Sequence, residues 1–332
     1  MSFDRRLFLA LMPCLLATPI GFAAPISSGN VLVSEDNVLY EYTPAGAFVQ
    51  SFDIPDSAGA IPNSDTARDI AVKAGSTNVH VYNGTFTASM STLDSTSPSW
   101  THQTIAGLST VNNVSYGGIA VAGPFVFVTD MATAGAGAPQ GIVRFDSSGG
   151  SIRFATGIDP IDLNVGQDGM LYALADDVVY VYDPRTAAFQ YSFDLDVTIG
   201  AGDYRSVAAN AAGQLFVVDW SGNLRKTDAN GTQLLSTNIG GNLTDVDVSA
   251  AGIVVVGEWA GDVTVTDENF TSPSSFTVGS TQTFVAVAAN STAGLPVSPV
   301  AVYAMVALIV SAFVSTLRRL RARPHQPAAL VA

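Results

Sequence analysis

The sequence predicts an all-β fold, a six-bladed β-propeller, on three observations. A tetrad of one shape returns six times, as Asp69-Ile70-Ala71-Val72, Gly118-Ile119-Ala120-Val121, Asp162-Leu163-Asn164-Val165, Ser206-Val207-Ala208-Ala209, Asp245-Val246-Asp247-Val248 and Phe284-Val285-Ala286-Val287. Successive starts lie 49, 44, 44, 39 and 39 residues apart, the room that four short strands and their turns need. Between Gly29 and Asn290 apolar and polar residues alternate in short runs punctuated by Gly, Asp, Asn and Ser, with no helical period.

Residues 1–23 have the make-up of a signal peptide: Arg5 and Arg6, an apolar run from Leu7 to Leu16, then the small-residue site Gly21-Phe22-Ala23. Arg5-Arg6-Leu7-Phe8-Leu9 resembles the twin-arginine export motif, with Asp4 and Ala10 departing from it; the same residues also make an ordinary leader n-region. The chain's single cysteine, Cys14, falls inside this leader, so the exported body can form no disulfide and hold no metal through thiolate.

The propeller is expected over 24–290. Its first segment supplies strands at Asn30–Ser34, Val38–Thr43 and Phe48–Ile54 without an inner strand before them, and Thr283–Ala288 supplies an inner strand without followers. Joining the two closes the ring and removes the edge an open array would present. The stretches from Pro55 to Thr66 and from Asp130 to Gly141 have loop composition, and loops are where propellers usually carry contacts. The clearest unit runs from Ser206 through Leu215-Phe216-Val217-Val218-Asp219 and Gly222 to Asp228-Ala229-Asn230-Gly231, with an Asn-Gly hairpin signal. It resembles an NHL-type repeat, and the unit from Ile161 to Leu195 follows it; neither carries Asn-His-Arg, so the resemblance is to the wider six-bladed class.

Beyond a tether at 291–298, residues 299–317 form an uncharged apolar stretch long enough to cross a bilayer as a transmembrane helix. The basic tail 318–332 follows, with Arg318, Arg319, Arg321 and Arg323, and the positive-inside rule keeps it cytoplasmic with the propeller outside. Residues 294–323 resemble a PEP-CTERM sorting signal of the kind exosortases act on, with Leu295-Pro296-Val297-Ser298-Pro299 in place of Pro-Glu-Pro. A plain membrane anchor is the other reading of the same residues. Either way the protein is expected outside the cytoplasm, anchored in the inner membrane or sorted to the surface.

Charge narrows the partners. The chain carries 14 Lys and Arg against 28 Asp and Glu. Setting aside leader and tail leaves 8 basic and 27 acidic residues, a net charge near −19 that repels phosphate backbones and excludes nucleic acid as a partner. Envelope protein or polysaccharide remain as partners, besides the membrane itself.

Within each tetrad the second and fourth residues are apolar, suited to a core between blades. The first and third are small or acidic, suited to lining a central channel. Asp69, Asp162 and Asp245 fall on alternate blades, three-fold around the axis; with Asn164 and Asp247 they form a candidate oxygen-ligand set for Ca²⁺ or another divalent cation. The same aspartates could instead accept backbone N–H groups at strand starts. The gluconolactonase-like six-bladed family holds a catalytic divalent metal on channel carboxylates and Asn, and similarity to it would imply a metal-dependent lactonase; no motif fixes a correspondence, so no catalytic residue is assigned. His80, His102 and His325 have no metal-ligand spacing. Trp220 and Trp259 follow the second strands of their units and are expected to pack against a neighbouring blade, with stacking on sugars as the alternative. The function these features support is a non-enzymatic binding or scaffold module of a bacterial cell envelope, with the lactonase as its rival.

Overall fold

The computed structural model describes residues 24–55, 67–73, 76, 78–83, 89–94, 99–104, 117–130 and 140–288. The leader 1–23, the tether 291–298, the apolar span 299–317, the tail 318–332 and most of the two long loops lie outside the described residues. Among the described residues no helix is long and apolar enough to cross a membrane.

Six four-stranded antiparallel sheets stand around one axis. Blade 1 consists of Thr283–Val287, Val31–Glu35, Val38–Tyr42 and Phe48–Asp53, from the axis outward. Blade 2 runs Ala67–Val72, Asn78–Asn83, Ser89–Asp94 and Ser99–Thr104, and blade 3 Ile119–Ala122, Phe125–Asp130, Gly141–Phe145 and Ser151–Phe154. Blade 4 runs Pro160–Val165, Leu171–Ala175, Val178–Asp183 and Ala188–Asp194, and blade 5 Tyr204–Ala209, Leu215–Asp219, Asn223–Thr227 and Gln233–Asn238. Blade 6 is Leu243–Val248, Ile253–Glu258, Asp262–Asp267 and Ser274–Thr277. Every repeated tetrad falls on, or one residue ahead of, an inner strand. A short helix, Leu195–Ile199, separates blades 4 and 5; the Asp194 carboxylate accepts the Val197 N–H at its start.

Ring closure occurs at blade 1. Val31–Glu35 pairs antiparallel with Thr283–Val287, from Val31↔Val287 to Glu35↔Thr283. The pairing continues through Ala288 N–H to Asn30 O (2.8 Å) and Gly29 N–H to Ala288 O (2.8 Å). The Glu35 carboxylate then accepts the N–H groups of Ser280 (2.6 Å) and Thr281 (2.9 Å), tying the approach to the last strand onto the first.

The core lies between blades. Val207 and Ala209 of blade 5 pack on Tyr172, Leu174, Val179 and Val181 of blade 4, whereas Ala208 packs on Val246, Val248, Val254 and Val256 of blade 6. Val285 and Val287 of blade 1 likewise face Val255, Val263 and Val265 of blade 6, while Ala286 faces Ile70, Val79 and Val81 of blade 2. This corrects the expected division of the tetrad into core and channel faces. Each sheet stands radially, so the two faces of an inner strand look at the two neighbouring blades and only its free edge looks down the axis. Apolar residues at the second and fourth positions fill the seam toward the preceding blade; at the first and third, residues that are small or acidic except for Phe284 and Asn164 keep the seam toward the following blade narrow. Gly118 shows the limit, since a Cβ there would lie 2.2 Å from Leu163 N and 2.7 Å from the Asp162 carbonyl carbon.

Candidate functional site

Six inner strands with free edges surround the axis, and a free β-edge presents N–H groups that need acceptors once buried. The aspartates supply them. Asp69 accepts its neighbour Ile70 N–H on Oδ1 (2.6 Å) and Ile119 N–H of blade 3 on Oδ2 (2.7 Å). Asp245 does the same with Val246 N–H (2.8 Å) and Val285 N–H of blade 1 (2.7 Å). Asp247 follows one step along the strand with Val248 N–H (2.8 Å) and Val287 N–H (2.8 Å). Asp162 reaches Val207 N–H of blade 5 at 2.8 Å. Where blade 5 has Ser206 in place of Asp, its hydroxyl accepts Val246 N–H of blade 6 (3.1 Å) and donates to Asp245 Oδ1 (2.8 Å).

All five candidate residues, Asp69, Asp162, Asn164, Asp245 and Asp247, therefore sit together on the channel wall. Burial raises Asp69 well above the usual carboxylate range, and the Asp245 and Asp162 carboxylates raise it further. Burial and the nearby Asp245 push Asp162 up to about 7. Burial puts Asp247 at about 6 against the lowering pull of the Val287 and Val248 N–H groups, and burial raises Asp245 too. The channel leaves about 60 Å³ of room, space for a few waters and well below the ~300–1,000 Å³ of small-molecule pockets. Gln167 narrows it where the inner strands end: its N–H bonds Ala209 O (3.1 Å) and its Nε2 reaches past blade 5 to Val248 O (2.7 Å). Among the described residues no group of three or more His, Cys, Asp or Glu side chains is placed to hold a metal ion. The role of Gln167 carries no local sequence signal, because its side-chain partner lies 81 residues away.

A second feature lies on the face where the inner strands begin. Trp220 N–H bonds Asp203 O (2.9 Å) and Trp259 N–H bonds Asn242 O (2.8 Å), so equivalent turns of blades 5 and 6 hold the two indoles alike. The rings meet edge to face at 5.4 Å, the contact between neighbouring blades that their positions predict. The Arg205 guanidinium lies 4.9 Å over Trp220 and pairs with Asp203. Trp259 nevertheless keeps 40% of its surface exposed. Of the histidines, His80 is buried with Nδ1 3.0 Å from Thr92 Oγ1, and burial lowers it to about 4. His102 Nδ1 lies 3.1 Å from Ser91 Oγ, and His325 is outside the described residues.

No protein-family model matches the chain, and no curated protein does. Among solved structures the chain is similar to apo AztD from Citrobacter koseri, at 10% identity over 79% of this chain and 98% of that one, with a TM-score of 0.47. It is also similar to Raptor from Chaetomium thermophilum, at 14% identity over 78% of this chain and 24% of that one, with a TM-score of 0.50. Identities this low speak of fold alone.

Proposed function

We propose that the chain is an exported, non-enzymatic propeller of a bacterial cell envelope, anchored or sorted by residues 294–323, that binds polysaccharide or a protein partner on its surface. One observation carries the reading: the channel carboxylates accept backbone N–H groups from blade to blade, in a channel with about 60 Å³ of room. Those groups act as acceptors that the ring itself requires. The leader, the apolar span 299–317, the arginine tail and the NHL-like blade pattern supply its address and class. The polysaccharide arm is favoured by Trp259, whose exposed indole is braced edge to face by Trp220 and offers the apolar face that pyranose rings meet well.

The test is affinity electrophoresis of the full chain through gels containing isolated envelope polysaccharide, with bound metal measured in parallel by elemental analysis. Retardation is expected and should fall at least about five-fold in Trp259→Ala, the loss of roughly 1 kcal/mol of stacking. Lactone or ester turnover that a chelator removes and Asp162→Ala abolishes, with the fold intact, would overturn the reading in favour of the metal-dependent hydrolase.

A further inference from the structure

Between blades 5 and 6, on the face where the inner strands end, an amine, an amide and a carboxylate converge. Asn210 directly follows the inner strand of blade 5, Lys226 lies in that blade's third strand, and Glu268 lies in the turn after Asp262–Asp267 of blade 6. Lys226 Nζ donates to Glu268 Oε2 at 3.1 Å, and Asn210 Nδ2 donates to the same oxygen at 2.9 Å. Asn210 Oδ1 accepts two backbone N–H groups, from Ala212 (3.0 Å) and Gln214 (3.0 Å). Lys226 and Asn210 are 6% and 5% exposed. The Phe216 ring lies 5.3 Å from Nζ, with Phe270 packed edge to face on it.

We propose that this is a self-modification site, at which Lys226 and Asn210 join in an isopeptide bond within blade 5. Each part of an acyl transfer is present: a nucleophile, an amide carbonyl polarised by two N–H donors, and one carboxylate oxygen between the attacking and leaving nitrogens. Glu268 takes a proton from the Lys226 ammonium, and the freed amine attacks Asn210 Cγ. The charge that develops on Oδ1 rests on the Ala212 and Gln214 N–H groups. Glu268 returns the proton to Nδ2, the Cγ–Nδ2 bond breaks, and the Nζ–Cγ bond remains. Two protons leave Nζ and both end on the departing nitrogen, which goes as ammonium; nothing is oxidised or reduced. Lys226 and Asn210 are buried over the Phe216 ring, away from the water that would hydrolyse the amide instead, while the Glu268 side chain keeps 26% of its surface exposed. Because Glu268 belongs to blade 6, the bond forms only once blades 5 and 6 have docked. It would also supply a covalent staple to a body whose sequence has no cysteine beyond Cys14.

Intact mass and a tryptic map of the denatured full chain test this. The expected product is lighter by one ammonia, resists trypsin at Lys226, and yields a branched species joining peptide 206–225 to the peptide that begins with Lys226. Lys226→Arg, which keeps the charge, and Glu268→Gln should each restore the sequence mass and the separate peptides, with thermal melts confirming that both fold. A wild-type chain of unmodified mass that is cut cleanly at Lys226 would overturn the proposal. So would an ammonia loss without branching, which would instead mark succinimide formation, for example at Asn230-Gly231.

Discussion

An aspartate with both carboxylate oxygens on backbone N–H groups, one from its own strand and one from the next blade, is a bridge whose removal leaves two buried donors unanswered. Asp69→Ala, which strips the acceptors from Ile70 N–H and Ile119 N–H, is therefore expected to cost about 2–4 kcal/mol, seen as a lowered urea midpoint with an unchanged slope. The same residues set a pH dependence whose sign is fixed by their direction. Asp162 at about 7 and Asp247 at about 6 hold protons in the folded state that they give up when unfolded, since both start from an ordinary 3.8. Their contribution is complete below that ordinary value and disappears as pH rises through 6 and 7. No Lys or Arg lies along the channel wall to reverse this. His80 works the other way: lowered from 6.5 to about 4, it costs stability as pH falls through that range. Between pH 8 and 6.5 the carboxylates act almost alone, so the melting temperature should rise on acidification there, and Asp162→Asn should flatten the slope. A melting temperature that falls over that interval would refute the assignment.

At the scale of the strand, the tetrad pattern made the inner strands and their number legible, because a period of two with apolar residues at the second and fourth positions survives on every blade. What each face meets was not legible. Alternation separates two faces of a strand, but whether one looks at a channel or at a neighbouring sheet depends on how the sheet stands to the axis, which no single strand encodes. The placement of Asp69, Asp162, Asn164, Asp245 and Asp247 around one channel could be read from their repeat positions, and so could the packing of Trp220 and Trp259 toward a neighbouring blade, though not that they meet each other. The reach of Gln167 to Val248, and of Lys226 to Glu268, could not, since each crosses a seam between blades without a local motif. The seam itself can be tested at Gly118, whose missing Cβ lets the blade 3 backbone lie against Asp162 and Leu163 of blade 4. The obstacle is main chain and cannot rotate aside, so Gly118→Ala should destabilise by about 2–3 kcal/mol, read in a chemical-denaturation curve. Ala120, two residues on and facing the same seam among side chains, should tolerate Gly at a cost nearer 1 kcal/mol.

For the whole molecule the decisive step is closure, and its parts come from opposite ends of the chain. Thr283–Val287 gives blade 1 its inner strand, places Val285 and Val287 in the seam with blade 6 and Ala286 in the seam with blade 2, and delivers two N–H groups to Asp245 and Asp247. A chain ending at 282 loses all of these together. Blade 1 is left with Val31–Glu35 as a bare edge of buried composition, every residue of which is covered in the closed ring. Because each blade is held mainly by its two neighbours, opening one seam weakens the others, and the exposed edge offers a template for pairing with another chain. The truncated chain should therefore unfold at lower temperature and self-associate in size-exclusion chromatography. A peptide spanning 282–288, added in excess, should restore a monomer with a cooperative melt, because the register from Val31↔Val287 to Glu35↔Thr283 leaves a slot for one antiparallel strand. The same peptide with Val285 and Val287 changed to Asp should fail, since it would set two carboxylates into the apolar seam against Val255 and Val263 while keeping the backbone pairing. Rescue by both peptides alike would mean that edge pairing alone closes the ring; rescue by the native one only would place the closing energy in the packing between blades 6 and 1.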